Sequence, residues 1–129
     1  MKEKGKILLI DDQEPFYKLI KRYFTHTEYT IDYLPGPDNL DEVLEANSYD
    51  LLILDVLLPD ISGYDICKSV RQKYDMFELP ILFLSAKDNS ENVAFGFVCG
   101  GNDYVTKPFE PSELIARVQT LVRLKKLYK

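Results

Sequence analysis

Three short, unbroken apolar runs constrain this chain most: Ile7-Leu8-Leu9-Ile10, Leu51-Leu52-Ile53-Leu54 and Ile81-Leu82-Phe83-Leu84. Runs of this length with no polar alternation are the pattern of strands buried on both faces, which occur in parallel sheets covered by helices. Tyr29 to Leu34 reads as a weaker, more polar strand, suited to an edge, and Tyr104-Val105-Thr106 as a short fifth.

Helical patterns fill the spaces between. Phe16, Leu19, Ile20, Tyr23 and Phe24 recur at helical spacing behind Pro15, a residue favoured at the first position of a helix. Leu40, Val43 and Leu44 mark a short second helix after Asp38, and Ile66, Cys67 and Val70 a third that opens near Ser62-Gly63. Asp88, with Glu91 three residues on, has the form of a capping box for a fourth, which Gly100-Gly101 would end. Pro111 opens the last helix, whose inward stripe is Leu114, Ile115, Val118, Leu121 and Val122. Alternating β and α units with right-handed crossovers predict an α/β doubly wound parallel sheet of five strands with five helices, in the flavodoxin-like order 2-1-3-4-5. The 129 residues read as a single domain, 1–129, with no linker or repeat.

Composition excludes several classes. Cys67 and Cys99 are the only cysteines and lack zinc-type spacing, so they read as free, inert thiols of a reducing compartment. No apolar run approaches a membrane span, and Ile7 to Ile10 is too short for a signal-peptide core, so the expectation is a soluble, cytoplasmic protein. The net charge is −5, yet no acid follows Glu113 whereas Arg117, Arg123, Lys125, Lys126 and Lys129 do. That basic end reads as the polar side of an amphipathic helix, with cations at the C-terminus where the macrodipole favours them, rather than as a nucleic-acid site.

In a sheet of this kind ligands bind beyond the carboxyl ends of the strands, so the residues that follow each strand matter most. Strand 1 is followed by Asp11 and Asp12, strand 3 by Asp55, strand 4 by Ser85-Ala86 and strand 5 by Lys107-Pro108. Three converging carboxylates repel one another and raise each other's pKa, and a hard divalent cation with oxygen ligands offsets that charge. A carboxylate beside Mg²⁺, a lysine and a hydroxyl donor is arranged to attack a phosphoryl group and stabilise charge on its oxygens. Each residue also has a plainer reading. One aspartate after strand 1 could cap a helix, Ser85 could serve a turn, and Lys107 could be a surface cation. Asp55 at the end of a buried run has little structural justification, because an unpaired buried charge is costly. His26 lacks ligand spacing and reads as a surface residue.

The pair Asp11-Asp12, the stretch LILDVLLPDISGYD around Asp55, LSAK around Ser85 and GGNDYVTKPFEPSELIARV around Lys107 resemble the receiver domain of bacterial two-component response regulators. The resemblance spans essentially the whole chain. It implies that Asp55 is the phosphoacceptor, that Asp12 ligates Mg²⁺ directly and Asp11 mainly through water, and that Leu57 offers its backbone carbonyl to the metal. It further implies that Ser85 and Lys107 contact the phosphoryl oxygens, that Tyr104 is a switch aromatic which turns inward on phosphorylation, and that the Lys107-Pro108 bond is cis. The implied role is a signalling switch in a phosphorelay rather than an enzyme, charged by a sensor histidine kinase or phosphotransfer protein. Its output would run through helix 4, strand 5 and helix 5, to another domain or a second copy.

Two other classes share parts of this pattern. A flavodoxin-like FMN carrier would want a hydroxyl- or glycine-rich loop after strand 1, where this chain has Asp-Asp-Gln-Glu. An aspartate-nucleophile phosphohydrolase would carry its first aspartate after strand 1 and a cap insertion. A DNA binder is disfavoured by the net charge and by the absence of a helix-turn-helix after the last helix. On the output face Asp103 and Arg117 match residues that form salt bridges in dimers of the family. Helix 4 departs from that pattern, with Val93, Phe95 and Val98 where charges are common. Helical periodicity predicts Val93, Ala94 and Phe97 inward and leaves Phe95 and Val98 exposed.

Overall fold

A computed structural model of the chain describes residues 4–128. The elements run β1 (Lys4–Ile10), α1 (Glu14–Tyr23), β2 (Glu28–Leu34), α2 (Leu40–Ala46), β3 (Leu51–Leu54), α3 (Gly63–Val70), β4 (Ile81–Ser85), α4 (Ser90–Val98), β5 (Asp103–Thr106) and α5 (Pro111–Leu127). All paired strands are parallel, in the order β2-β1-β3-β4-β5. The expected architecture and strand order are therefore observed. β2 is an edge strand with exposed Glu28, Thr30 and Asp32 alternating against buried Tyr29 and Ile31. β1, β3 and β4 lie inside the sheet and bury their apolar runs on both faces.

Each run feeds two cores. Leu8, Ile10, Leu52, Leu54, Ile81 and Phe83 pack with α2, α3 and the inner line of α4. Ile7, Leu9, Leu51, Ile53, Leu82 and Leu84 pack on the other side with α1 and α5, where Leu114, Val118, Leu121 and Val122 form the expected stripe and Ile115 is partly buried.

α4 corrects two expectations. Its N-cap is Asn89, whose Oδ1 accepts from the Asn92 amide at 2.8 Å, so Asp88 and Glu91 form no capping box. Its inward line is Val93, Gly96 and Cys99. Phe97 is 47% exposed and Ala94 is exposed, both contrary to the predicted stripe, while Phe95 (42%) and Val98 (80%) are exposed as predicted. The helix ends in a Schellman motif: Gly101 N–H donates to the Gly96 carbonyl and Gly100 N–H to that of Phe97, with Gly100 at φ 109°.

Arg71, just past α3, ties this end of the molecule together. Its Nε donates to the Gly100 carbonyl at 2.8 Å, its Nη1 to the carbonyls of Tyr74, Asp75 and Leu79, and its Nη2 to Asn102 Oδ1 at 2.8 Å. Cys67 and Cys99 are free and buried, and His26 is exposed. Arg117, Arg123 and Lys126 are exposed on α5, and Lys129 lies outside the described residues. No described helix is long and apolar enough to cross a membrane.

Candidate functional site

The hydrogen-bond ladder of the sheet runs on past the strand ends and fixes the residues found there. The Asp11 amide donates to the Leu34 carbonyl at 3.2 Å, the Asp55 amide to Ile10 at 3.0 Å and the Lys107 amide to Ser85 at 2.8 Å. The ladder thus holds the backbones of Asp11, Asp55, Ser85 and Lys107 at one edge. Asp11 and Ser85 are fully buried, Asp55 is 5% exposed, and Asp12 is half-buried beside them.

The side chains converge. Carboxylate oxygens of Asp11, Asp12 and Asp55 lie within 4.8 Å of one another. Lys107 Nζ reaches Asp11 Oδ2 at 3.3 Å and Asp55 Oδ2 at 3.5 Å. Asp55 Oδ1 accepts from the Leu57 amide at 3.0 Å, Asp11 Oδ1 from the Gln13 amide at 2.8 Å, and Ser85 Oγ from the Lys87 amide at 3.2 Å. Burial raises the Asp55 carboxyl above the ordinary carboxylate range; the Leu57 amide and Lys107 oppose that shift, and Asp11 adds to it. One ammonium facing three carboxylates leaves the cluster short of positive charge. Three oxygen donors this close, with a lysine alongside, fit a hard divalent cation of the Mg²⁺ type, which takes one or two carboxylates and keeps its other positions for water and phosphate.

The residues expected at the site from the sequence are therefore brought together, with two points of detail. Leu57 enters through its amide, which donates to Asp55, and the residue is 47% exposed. Tyr104 lies inward: it is 8% exposed, and its hydroxyl donates to the Lys87 carbonyl at 2.8 Å. The Lys107-Pro108 bond is cis, as expected.

Two contacts escaped the sequence reading. Phe16, assigned there to the inward stripe of α1, is half-buried and lies under the ammonium of Lys107, with Nζ 3.9 Å from its ring centroid. A cation over an aromatic face is held there by the ring quadrupole, so Phe16 helps fix the direction of Lys107. Tyr64 packs beside Tyr104, its hydroxyl 3.1 Å away. An aromatic residue at helical spacing gives no sign of such roles, because the same spacing describes ordinary core packing.

Comparison with known proteins finds relatives over most of the chain. The family model for the response regulator receiver domain matches residues 7–119. The response regulator ArlR of Staphylococcus haemolyticus is 37% identical over 118 residues, covering 91% of this chain and 52% of that protein. The transcriptional regulatory protein ResD of Bacillus subtilis is 38% identical over 119 residues, covering 92% of this chain and 48% of that protein. The chain thus spans about half the length of these curated relatives. Among solved structures, the receiver domain of the Francisella response regulator 1452 superposes with a TM-score of 0.83 at 30% identity, covering 93% of this chain and 98% of that one.

Proposed function

The chain belongs to the response regulator receiver domain family, and from that premise we propose that Asp55 accepts a phosphoryl group from a histidine kinase or phosphotransfer protein. The observation that carries the reading is the Asp55 carboxylate, buried beside Asp11 and Asp12 and paired with Lys107 at the carboxyl edge of the sheet. A carboxylate oxygen of Asp55 attacks phosphorus as the bond from phosphorus to the donor nitrogen breaks, and the imidazole leaves. Lys107 and the Ser85 hydroxyl then face the phosphoryl oxygens, where charge-assisted hydrogen bonds are strong. Asp12 and Asp55, the Leu57 carbonyl and, through water, Asp11 would hold Mg²⁺. When bound, Mg²⁺ supplies positive charge to the transferring phosphoryl oxygens and offsets the repulsion among the three carboxylates. The domain is a switch and not an enzyme, and a small phosphodonor such as acetyl phosphate should also charge it. Incubation with acetyl phosphate and Mg²⁺, followed by peptide mass spectrometry, tests the reading; label on any residue other than Asp55 overturns it.

The hydrolase and flavin readings have less support. No glycine- or hydroxyl-rich phosphate loop follows β1, and the acidic cluster there repels a phosphate unless a cation intervenes. Residues 1–129 form one phosphoacceptor unit in this reading. Cytoplasmic residence suits the free thiols of Cys67 and Cys99.

Acyl-phosphate lifetime depends on Leu57. Its half-exposed side chain stands two residues past the acceptor, where an apolar group hinders the in-line water that hydrolysis needs. Leu57→Asn is expected to shorten the phosphoryl half-life several-fold, measured by loss of label after the donor is removed. An unchanged half-life excludes shielding by Leu57.

The output surface in this reading is the face of α4, β5 and α5. Arg117 Nη1 donates to both Asp103 oxygens, at 3.1 and 2.9 Å, so this pair is closed within the chain. Phe95, Phe97 and Val98 leave the α4 part of the face apolar. Phosphorylation is expected to drive association of two copies there, or docking to another domain. In sedimentation with beryllium fluoride and Mg²⁺ as the phosphoryl mimic, wild type should shift toward dimer and Phe95→Ser should not. If both behave alike, self-association through Phe95 is excluded.

A further inference from the structure

We infer that Tyr64 is a positioning residue that holds Tyr104 in its inward seat by a contact that does not pass through Ser85. The inference extends the reading of Asp55 as phosphoacceptor and of Tyr104 as the group that follows its state.

Two routes hold the Tyr104 hydroxyl. The first comes from the site: Ser85 Oγ accepts from the Lys87 amide at 3.2 Å, and the Lys87 carbonyl accepts from Tyr104 at 2.8 Å. This route moves with Ser85. The second is independent of Ser85. Tyr64, in the first turn of α3, places its hydroxyl 3.1 Å from that of Tyr104 and 2.9 Å from the Asn92 carbonyl of α4. Three close contacts share two hydroxyl protons, because each tyrosine donates once. Tyr104 donates to Lys87, and the Tyr64 proton is shared between the Asn92 carbonyl and the Tyr104 hydroxyl, so Tyr64 ties the Tyr104 oxygen to α4 while Lys87 takes its proton.

Packing fixes Tyr64 in turn. Its ring is 6% exposed and meets Phe83 edge-on at 5.4 Å and Phe95 at 5.0 Å, and the Lys68 ammonium caps Phe95 at 5.0 Å. Gly96 leaves room for the inward ring. A methyl at that position would stand 3.0 Å from Tyr104 and 3.2 Å from Phe83, tighter than such contacts normally are. Phe95, exposed on the output face, is therefore also the outer wall of the seat. A change in Tyr104 is felt at this surface through two touching rings.

The consequence is an inward population larger than Ser85 alone would support, and hence tighter binding of any ligand that favours the inward state. Tyr64→Phe removes the hydroxyl and keeps the ring. On the full chain without phosphodonor, the ¹³C-labelled Tyr104 ring signals should move away from their wild-type position. Affinity for beryllium fluoride with Mg²⁺ should fall about fivefold, the size of one ordinary hydrogen bond. Tyr104→Phe, which removes the other end of the same bond, should cost at least as much. Adding Tyr64→Phe to Tyr104→Phe should cost nothing more. The amide spectrum of the sheet confirms that each variant folds. Unmoved Tyr104 signals in Tyr64→Phe, or an equal loss of affinity in the Tyr104→Phe background, overturns the inference. Binding of beryllium fluoride that survives loss of the Asp55 carboxylate overturns instead the phosphoacceptor reading, while the ring signals still decide the role of Tyr64.

Discussion

Asp55→Asn is expected to take up no phosphoryl group from acetyl phosphate and Mg²⁺, where the wild-type chain takes up one. The amide has neither the charge nor the lone-pair basicity of the carboxylate that attacks phosphorus. Asp12→Ala should lose Mg²⁺ binding and with it most of the rate. The same Asn variant should also be more stable in metal-free buffer. Burial holds the Asp55 carboxyl above its ordinary range. Between its ordinary and raised values the folded chain binds a proton that the unfolded chain does not. Stability therefore falls as pH rises from the ordinary value through the raised one. Asn carries no such penalty, so the variant should be more stable than wild type above that window, read as a higher Tm. The gain should shrink toward zero as pH is lowered to about 4, near the ordinary carboxylate value. A gap between variant and wild type that does not change with pH excludes this cause.

Arg71→Ala should bring the largest loss of stability among the described polar residues. One guanidinium serves the end of α4 through Gly100, the loop before β4 through Tyr74, Asp75 and Leu79, and the start of β5 through Asn102. Asn102 Oδ1 is shared with the Ile81 amide at 2.9 Å, so the same contact orients the first residue of β4. Removing the side chain leaves several half-buried carbonyls with poorer partners. A loss of about 3 kcal/mol is expected, or about 10 °C in Tm. Arg71→Lys should recover less than half, because one ammonium cannot fork to partners in three directions. Urea denaturation measures both, and an Ala variant within about 1 kcal/mol of wild type would mean that water replaces the guanidinium.

Most of the sheet and its acidic edge were legible because the apolar runs and the carboxylates after them are both local signals. A four-residue run buried on both faces has only one comfortable environment, and an aspartate at its end is conspicuous. α4 was misread for an equally local reason. Its inward line passes through Gly96, which carries no hydrophobic signal, so periodicity drew Phe97 and Ala94 inward in its place. Asp88 and Asn89 are both good caps, and the acidic residue three positions after Asp88 favoured the wrong one. Arg71 was invisible because most of its partners are backbone carbonyls, which leave no mark on the sequence. Phe16 looked like a core residue and Tyr64 was not singled out, and both pack against the cores. Their further roles come from one ammonium and one hydroxyl that the chain brings in from far away.

The two cores on either side of the sheet mean that adjacent letters of the sequence answer to different neighbours. Leu82 and Phe83 are joined by one peptide bond, yet Leu82 faces α5 and Phe83 faces Tyr64 and Tyr104. Side chains that share no partners contribute to stability nearly independently. The α1–α5 core can keep the fold intact while side chains of the α3–α4 core change, and the backbone of β4 separates one set of substitutions from the other.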